Sequence, residues 1–294
     1  MARRDSAPQP ELPPHPELGA GIITKSLGPS AILVGLMLLG LGGTLMYGSL
    51  LGSGWGTPGN AARSDWLLRI GGVVMGLLMG GMGVVLMVRF GDRFNFYELG
   101  VTRTRRGNTR AMLRYDQAED LTIKEARSYH NGAYVGTGIN MTWLRGGRRV
   151  FRYNGMYKEK MEKGGLKVWL KQKFVEGPRE MDAVRDLAAF VLTPRWSDAL
   201  ARGETLELGK GHSANSQGLT PASGPMKGQL VSYASVEDML IKDFKLHVMS
   251  GGQEIIKCPT DGKNFWPRFY AVQECWLAAV EASDEDAPER APEM

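Results

Sequence analysis

Four histidines and two cysteines are the residues of this 294-residue chain best suited to holding a metal or attacking a substrate, and their spacing argues against both. His15, His130, His212 and His247 are scattered, and no pair has the four-residue spacing that would set two imidazoles on one helix face. Cys258 and Cys275 have no further cysteines to complete a zinc set, and two thiols give no disulfide framework. No metal and no cofactor is expected.

Two other patterns resemble chemistry. Gly132, Gly136 and Gly138 are spaced like a phosphate-binding loop, but a Walker loop continues into Gly-Lys-Ser/Thr and a dinucleotide fingerprint into a helix. Here Ile139-Asn-Met-Thr-Trp-Leu144 follows, which is strand-like, so the glycines read as a hairpin. The carboxylate pairs Glu119-Asp120 and Glu237-Asp238 stand before two similar strands, and a shared turn accounts for both without acid-base work. No catalytic residue is assigned, and the chain is read as a non-enzyme.

The elements that must carry these residues begin with two apolar runs. No charge occurs between Lys25 and Arg63, and residues 31–51 give about 31 Å of helix against a hydrocarbon core of about 30 Å. A second run, expected over 67–89, has the length of one crossing. The pattern therefore predicts two transmembrane helices joined by a short external loop. Arg3, Arg4 and Lys25 before them, and Arg89, Arg93, Arg103, Arg105 and Arg106 after them, outnumber the loop's Arg63, which predicts a multi-pass protein of the cell (inner) membrane with both termini cytoplasmic.

Small residues mark the helix faces. Gly72, Gly76 and Gly80 recur every fourth residue in the second run, and Gly40 and Gly48 belong to a similar stripe in the first. Such stripes permit close backbone approach, within one hairpin or in a homo-oligomer.

Residues 1–28 hold Pro8, Pro10, Pro13, Pro14 and Pro16 and predict a disordered arm. From residue 92 the pattern turns to short alternating segments rich in Val, Tyr, Phe, Ile and Thr, which read as strands. Helical character returns at 179–192 and 266–282. The region repeats internally. Gly100-Val-Thr102 and Tyr115 through Lys124 recur as Gly218-Leu-Thr220 and Tyr233 through Lys242, at an offset of 118. Residues 141–152 align with 246–257 at an offset of 105, so the first copy holds a longer hairpin around 130–138.

In this order of motifs the chain resembles the pleckstrin-homology-like (PH-like) domains of uncharacterised bacterial membrane proteins. The closest stretch runs from Gly203-Glu-Thr-Leu-Glu-Leu-Gly209 to Asn264-Phe-Trp266. The resemblance implies an α+β membrane protein in which a transmembrane hairpin (29–90) precedes two PH-like β-sandwich or barrel modules, 92–200 and 203–282, each closed by a C-terminal helix. Its motifs are structural and imply a fold more than an activity.

Charge supplies the remaining candidates. Residues 283–294 read as an acidic disordered tail; Glu281 to Met294 nets −5 against a whole-chain +5, leaving +10 on residues 1–280. Arg89, Arg93, Arg105, Arg106, Lys167, Trp169, Lys171 and Lys173 are the residues expected to touch anionic lipid. No nucleic-acid reader motif is present. The functional expectation is a membrane-anchored scaffold that recruits an unknown protein partner or contacts anionic lipid through its modules. The alternative is a small oligomeric transport or channel component assembled on its glycine stripes.

Overall fold

A computed structural model describes residues 12–26, 30–51, 65–89, 92–161, 174 and 179–285, and within the first two helices it describes side chains over 34–50 and 70–85. The external loop, the terminal arm to residue 11, the tail beyond 285, and the candidate residues Lys167, Trp169, Lys171 and Lys173 lie outside the described residues, as does the side chain of Arg89.

The chain divides into two compact units. One comprises 24–95 and 103–110, and contains α1 (Ser30–Leu51) and α2 (Asp65–Arg89), which pack on each other. The second takes in the described residues of 1–23, 96–102 and 111–294.

The expected membrane anchor is corrected here. Among the described residues no helix is long and apolar enough to cross a membrane. The described part of α2 is diluted by Gly71, Gly72, Gly76, Gly80, Gly81 and Gly83. The transmembrane fold class, and the multi-pass inner-membrane placement with cytoplasmic termini, are not supported. The fold is α+β.

Within the stretch 1–28 expected to be a disordered arm, the described residues 12–26 include a strand. Residues Gly21–Ser26 form β1, which stands beside β2 (Asp92–Tyr97) in a sheet ordered β1-β2-β3-β4, with β3 Gly100–Arg105 and β4 Asn108–Arg114. The helix pair is thus an insertion in a β1–β2 connection, and the first strand series begins ahead of it.

The strand order then repeats itself. After β4 comes a 3-10 turn at Tyr115–Gln117, a sheet of β5 (Asp120–His130), β6 (Ala133–Arg145) and β7 (Arg148–Tyr157), and the helices α3 (Asp182–Phe190) and α4 (Thr193–Ala201). The second copy runs β8 (Leu206–Gly209), β9 (His212–Ala214), β10 (Gly218–Thr220) and β11 (Val231–Ser232), a 3-10 turn at Tyr233–Ser235, then β12 (Val236–Lys242), β13 (Lys245–Ser250), β14 (Gln253–Pro259) and α5 (Phe265–Glu285). Four strands, a tyrosine-led 3-10 turn, three strands and helix occur twice.

The repeated residues have physical reasons. Gly100 and Gly218 each open the third strand of a four-stranded sheet, and a Cβ there would collide with the carbonyl oxygens of Leu113 and Val231 on the next strand. Tyr115 and Tyr233 turn the chain inward and are buried. Glu119 and Glu237 accept hydrogen bonds from the Gly146 and Gly252 amides, at 2.7 and 3.0 Å, so each closes the tip of its own sheet's Gly-Gly hairpin. Those tips need positive φ at consecutive residues, 54° and 70° at Gly146-Gly147 and 58° and 70° at Gly251-Gly252, the twist that hairpin strands favour.

Alternation fixes which face is inside. Leu121, Ile123, Ile139, Met141, Trp143, Phe151 and Tyr153 point inward from β5-β6-β7, and the Trp143 ring stacks on Tyr115 at 5.9 Å. In the second copy Leu246, Val248, Ile255 and Ile256 meet Phe265, Phe269 and Val272 of α5 in the buried set. α5 starts with Pro267 in its first turn, where a missing N–H costs nothing.

Replacing Gly218 by Ala forces a methyl against a strand backbone and should cost about 2 kcal/mol. Gly138→Ala, whose Cβ would meet only Ala126 O at 3.8 Å, should cost under about 0.5 kcal/mol. Urea denaturation of both variants checks the contrast, and equal costs would contradict the assignment.

Candidate functional site

Strand β5 continues its inward alternation past the apolar core. After Leu121 and Ile123 the next inward positions are Glu125 and Arg127, which face Ile139 and Thr137 of β6. Thr137 in turn faces Tyr157 of β7. Charges in such positions must be paired or they would not be buried.

Arg127 is bound bidentately by Glu159, Nε to Oε1 at 3.0 Å and Nη2 to Oε2 at 2.8 Å. The Thr137 hydroxyl donates to the same carboxylate, and the Glu159 amide donates to the Tyr134 hydroxyl at 2.9 Å. Arg179 stands 3.6 Å from Glu159. Burial works against charge on Glu159, but the hydrogen bonds from Arg127 and Thr137 prevail and hold its carboxyl below the usual range.

The second copy enters through the β12–β13 turn. Asp243 accepts from Arg127 Nη1 at 2.6 Å, and the Phe244 ring lies beneath the guanidinium groups of Arg179 and Arg127, at 4.4 and 5.2 Å. Asp243 and Phe244 both have positive φ, 48° and 59°, an uncommon conformation for a phenylalanine. The ion pair and the cation–π contacts offset that strain.

A parallel network surrounds Glu125. Tyr157 donates its hydroxyl to Oε1 at 2.7 Å, while Oε2 is buried 4.0 Å from Arg185 Nη1. Arg185 is tied to Asp182 and Asp186 at 2.6 and 2.8 Å and stacks on the Trp266 ring at 3.9 Å. Tyr270 of α5 donates to Asp186 at 2.5 Å. Burial raises the Glu125 carboxyl above its ordinary range, against the pull of Tyr157 and Arg185.

A third joint uses Asn264, one residue ahead of α5, with φ 56°. Its side-chain oxygen accepts from the Leu121 amide at 2.7 Å, its own amide donates to the Leu121 carbonyl at 2.7 Å, and its Nδ2 donates to Asp120 at 2.7 Å. Asn264 thus acts as one more residue of a strand alongside β5. Lys263 pairs with Asp120 at 2.8 Å.

The opposite face of the same sheet is polar and open. Across it stand Thr122, Thr142 and Arg152 in one row, and Lys124, Asn140 and Asn154 in the next, with Leu144 opposite Arg149. Lys124, Arg149, Arg152 and Asn154 are exposed. Thr142 donates to Asn140 at 3.0 Å and Arg152 Nε to Asn154 at 3.1 Å, so the rows are ordered by their own contacts. Locked from within and accessible from without, this sheet is the best-supported surface for recognition.

The residues singled out in the sequence fall elsewhere. Within the helix pair, a Cβ on Gly76 would meet Met46 and the Gly42 carbonyl at 2.5 and 2.7 Å, and one on Gly72 would overlap Ser49. Gly40, Gly48 and Gly80 have open space where a Cβ would be, while Gly42 and Gly83 are the further close-approach positions. Val34, Met37, Leu41, Leu77, Leu78 and Met82 are exposed on the outer faces. Of the arginines expected at lipid, Arg93 and Arg106 are exposed, and Arg105 lies 4.0 Å from the buried Asp92, to which Arg103 also donates. The carboxylate pairs sit at hairpin tips and joints, and among the described residues no cluster of His, Cys, Asp and Glu could hold a metal. Burial pushes the Cys258 thiol up to about 11, away from reactivity.

Sequence reasoning missed the network on Glu125, Arg127, Glu159 and Arg185. A signal existed: polar residues at inward parity in a strand whose earlier inward positions are Leu121 and Ile123.

Two outcomes test these joints. Arg127→Met should cost about 2 kcal/mol, because it removes both guanidinium hydrogen bonds from Glu159, whose side chain is 6% exposed, and leaves it Thr137 and the more distant Arg179; Asp243→Ala, at 60% exposed, should cost under about 1 kcal/mol. Glu125 has a folded pKa above its unfolded value, so its protonation stabilises the fold at low pH and that contribution is lost as pH rises from about 4.3 upward. Glu125→Gln should therefore gain in melting temperature relative to wild type between pH 4.5 and pH 7.5, and an unchanged difference would contradict the burial argument. A scan against family models, a search of curated proteins and a search of solved structures find no match to this chain.

Proposed function

We propose that this chain is an interaction scaffold built on two PH-like copies, and that it engages a protein partner through the outward face of β5-β6-β7. The observation that carries this reading is the contrast between the two faces of one sheet. The Arg127–Asp243 pair, the Tyr270–Asp186 hydrogen bond and Asn264 hold the inner face and one edge against the second copy. The outer face stays accessible, with exposed Lys124, Arg149, Arg152 and Asn154. A surface held rigid before it binds loses little conformational entropy on association.

Catalysis finds less support. Glu125, Arg127, Glu159 and Arg185 are engaged with one another's networks, and Glu119, Glu237 and Asp120 close hairpins and joints. PH-like architecture by itself would not decide between binding and catalysis.

A photo-reactive residue at Thr142 in the full-length chain should form a discrete protein adduct in the cells of origin, and the same residue at the equivalent His247 should not. The adduct should vanish when Arg149 and Arg152 are both replaced by Glu. Equal labelling from the two positions, or none from either, would overturn the proposal.

A further inference from the structure

The duplication supplies an internal control for the chemistry of that surface. Residues 141–152 and 246–257 correspond at an offset of 105, so Thr142, Arg149 and Arg152 occupy the places of His247, Glu254 and Lys257. In the second copy the three groups neutralise one another: His247 Nδ1 lies 2.6 Å from Glu254 and Lys257 Nζ lies 3.4 Å from it. In the first copy an arginine stands where that glutamate would be. Among the described residues, Lys124, Arg149 and Arg152 enter no salt bridge. Asp120, an outward carboxylate of β5, is held by Lys263 and Asn264.

Resting on the interaction reading above, we infer that the outer face of β5-β6-β7 binds an acidic, extended segment of a partner protein. Members of one row, on neighbouring strands, stand roughly 4.8 Å apart, and successive rows follow about every 6.6 Å along a strand. Alternate carboxylates of an extended chain have the same spacing. Arginines bind carboxylates through paired N–H groups, and Asn140 and Asn154 add neutral hydrogen-bonding positions in the row beyond Arg152.

Other occupants fit less well. The outward positions Thr122, Lys124, Asn140, Thr142, Leu144 and Arg152 include no aromatic ring for bases to stack on, which single-stranded nucleic acid would exploit. The chain's own acidic tail is poorly placed. It follows α5, whose first turn is tied to β5 through Asn264 and which carries the chain about 31 Å over 21 residues.

The test is fluorescence anisotropy with a labelled oligo-glutamate peptide and the full-length chain. Arg149→Glu, which copies the second copy's residue, and Arg152→Gln should each weaken binding by about tenfold or more, and added salt should weaken it further. Lys257→Gln, an exposed cation of the neutralised face, should change it less than about twofold. Melting curves confirm that the variants are folded, as expected for exposed positions. Binding unaffected by both arginine variants would overturn the inference, as would tighter binding of oligo-thymidylate or of phosphatidylserine vesicles to the same residues. If the Thr142 adduct persists while oligo-glutamate fails to bind, the acidic partner is wrong and the scaffold reading stands; if the adduct itself is absent, the scaffold reading falls.

Discussion

A charged side chain cannot be left unpaired on the inner face of a sheet, and most of this molecule's organisation beyond its apolar cores follows from that constraint. Arg127 and Glu125 occupy inward positions of β5, so each draws partners from other elements. Glu159 and Arg179 come from the chain after β7, Arg185 from α3, and Asp243 with Phe244 from the second copy. Had these positions been apolar, the strand-rich copies would have packed by area alone. As charges with directional hydrogen bonds, they specify which turn of the second copy meets which strand of the first.

The longer hairpin of the first copy provides room for this. β5 and β6 run 11 and 13 residues, whereas β12 and β13 run 7 and 6. The extra length carries Arg127, Tyr134 and Thr137, the residues that hold Glu159. The two copies have corresponding hairpins; the longer one forms a cradle, and the short tip of the other, at Asp243 and Phe244, packs against it. The same sheet then turns its second face outward, where the two copies have diverged in charge.

Much of the strand order was legible because each hairpin announces itself locally. The Gly-Gly tips, the Gly-x-Thr strands and the Tyr-led turns recur at fixed offsets, and each answers a backbone requirement that only those residues meet. β1 was not legible, since Gly21–Ser26 follows a proline-rich stretch and joins strands that lie beyond an inserted helix pair. The long apolar runs misled for a related reason. Uncharged length suggests a bilayer, but glycine stripes lower the apolar content, and among the described residues no helix is long and apolar enough to cross a membrane. Asn264 could not be recognised from its neighbours, because its role depends on Leu121 and Asp120, some 143 positions away. Long-range pairing of this sort leaves no mark on local pattern.

The central claim is that the β5-β6-β7 sheet and the second copy open and close as one cooperative body because Asn264, the Tyr270–Asp186 hydrogen bond and the contacts of Arg127 with Asp243 and Phe244 join them. Native-state hydrogen exchange at low urea concentrations measures this directly. The slowest amides of β5, β13 and α5 should converge on a single opening free energy, within about 1 kcal/mol of one another. Two well-separated opening energies, one for β5 and another for β13 and α5, would show that the copies fold apart and would contradict the account.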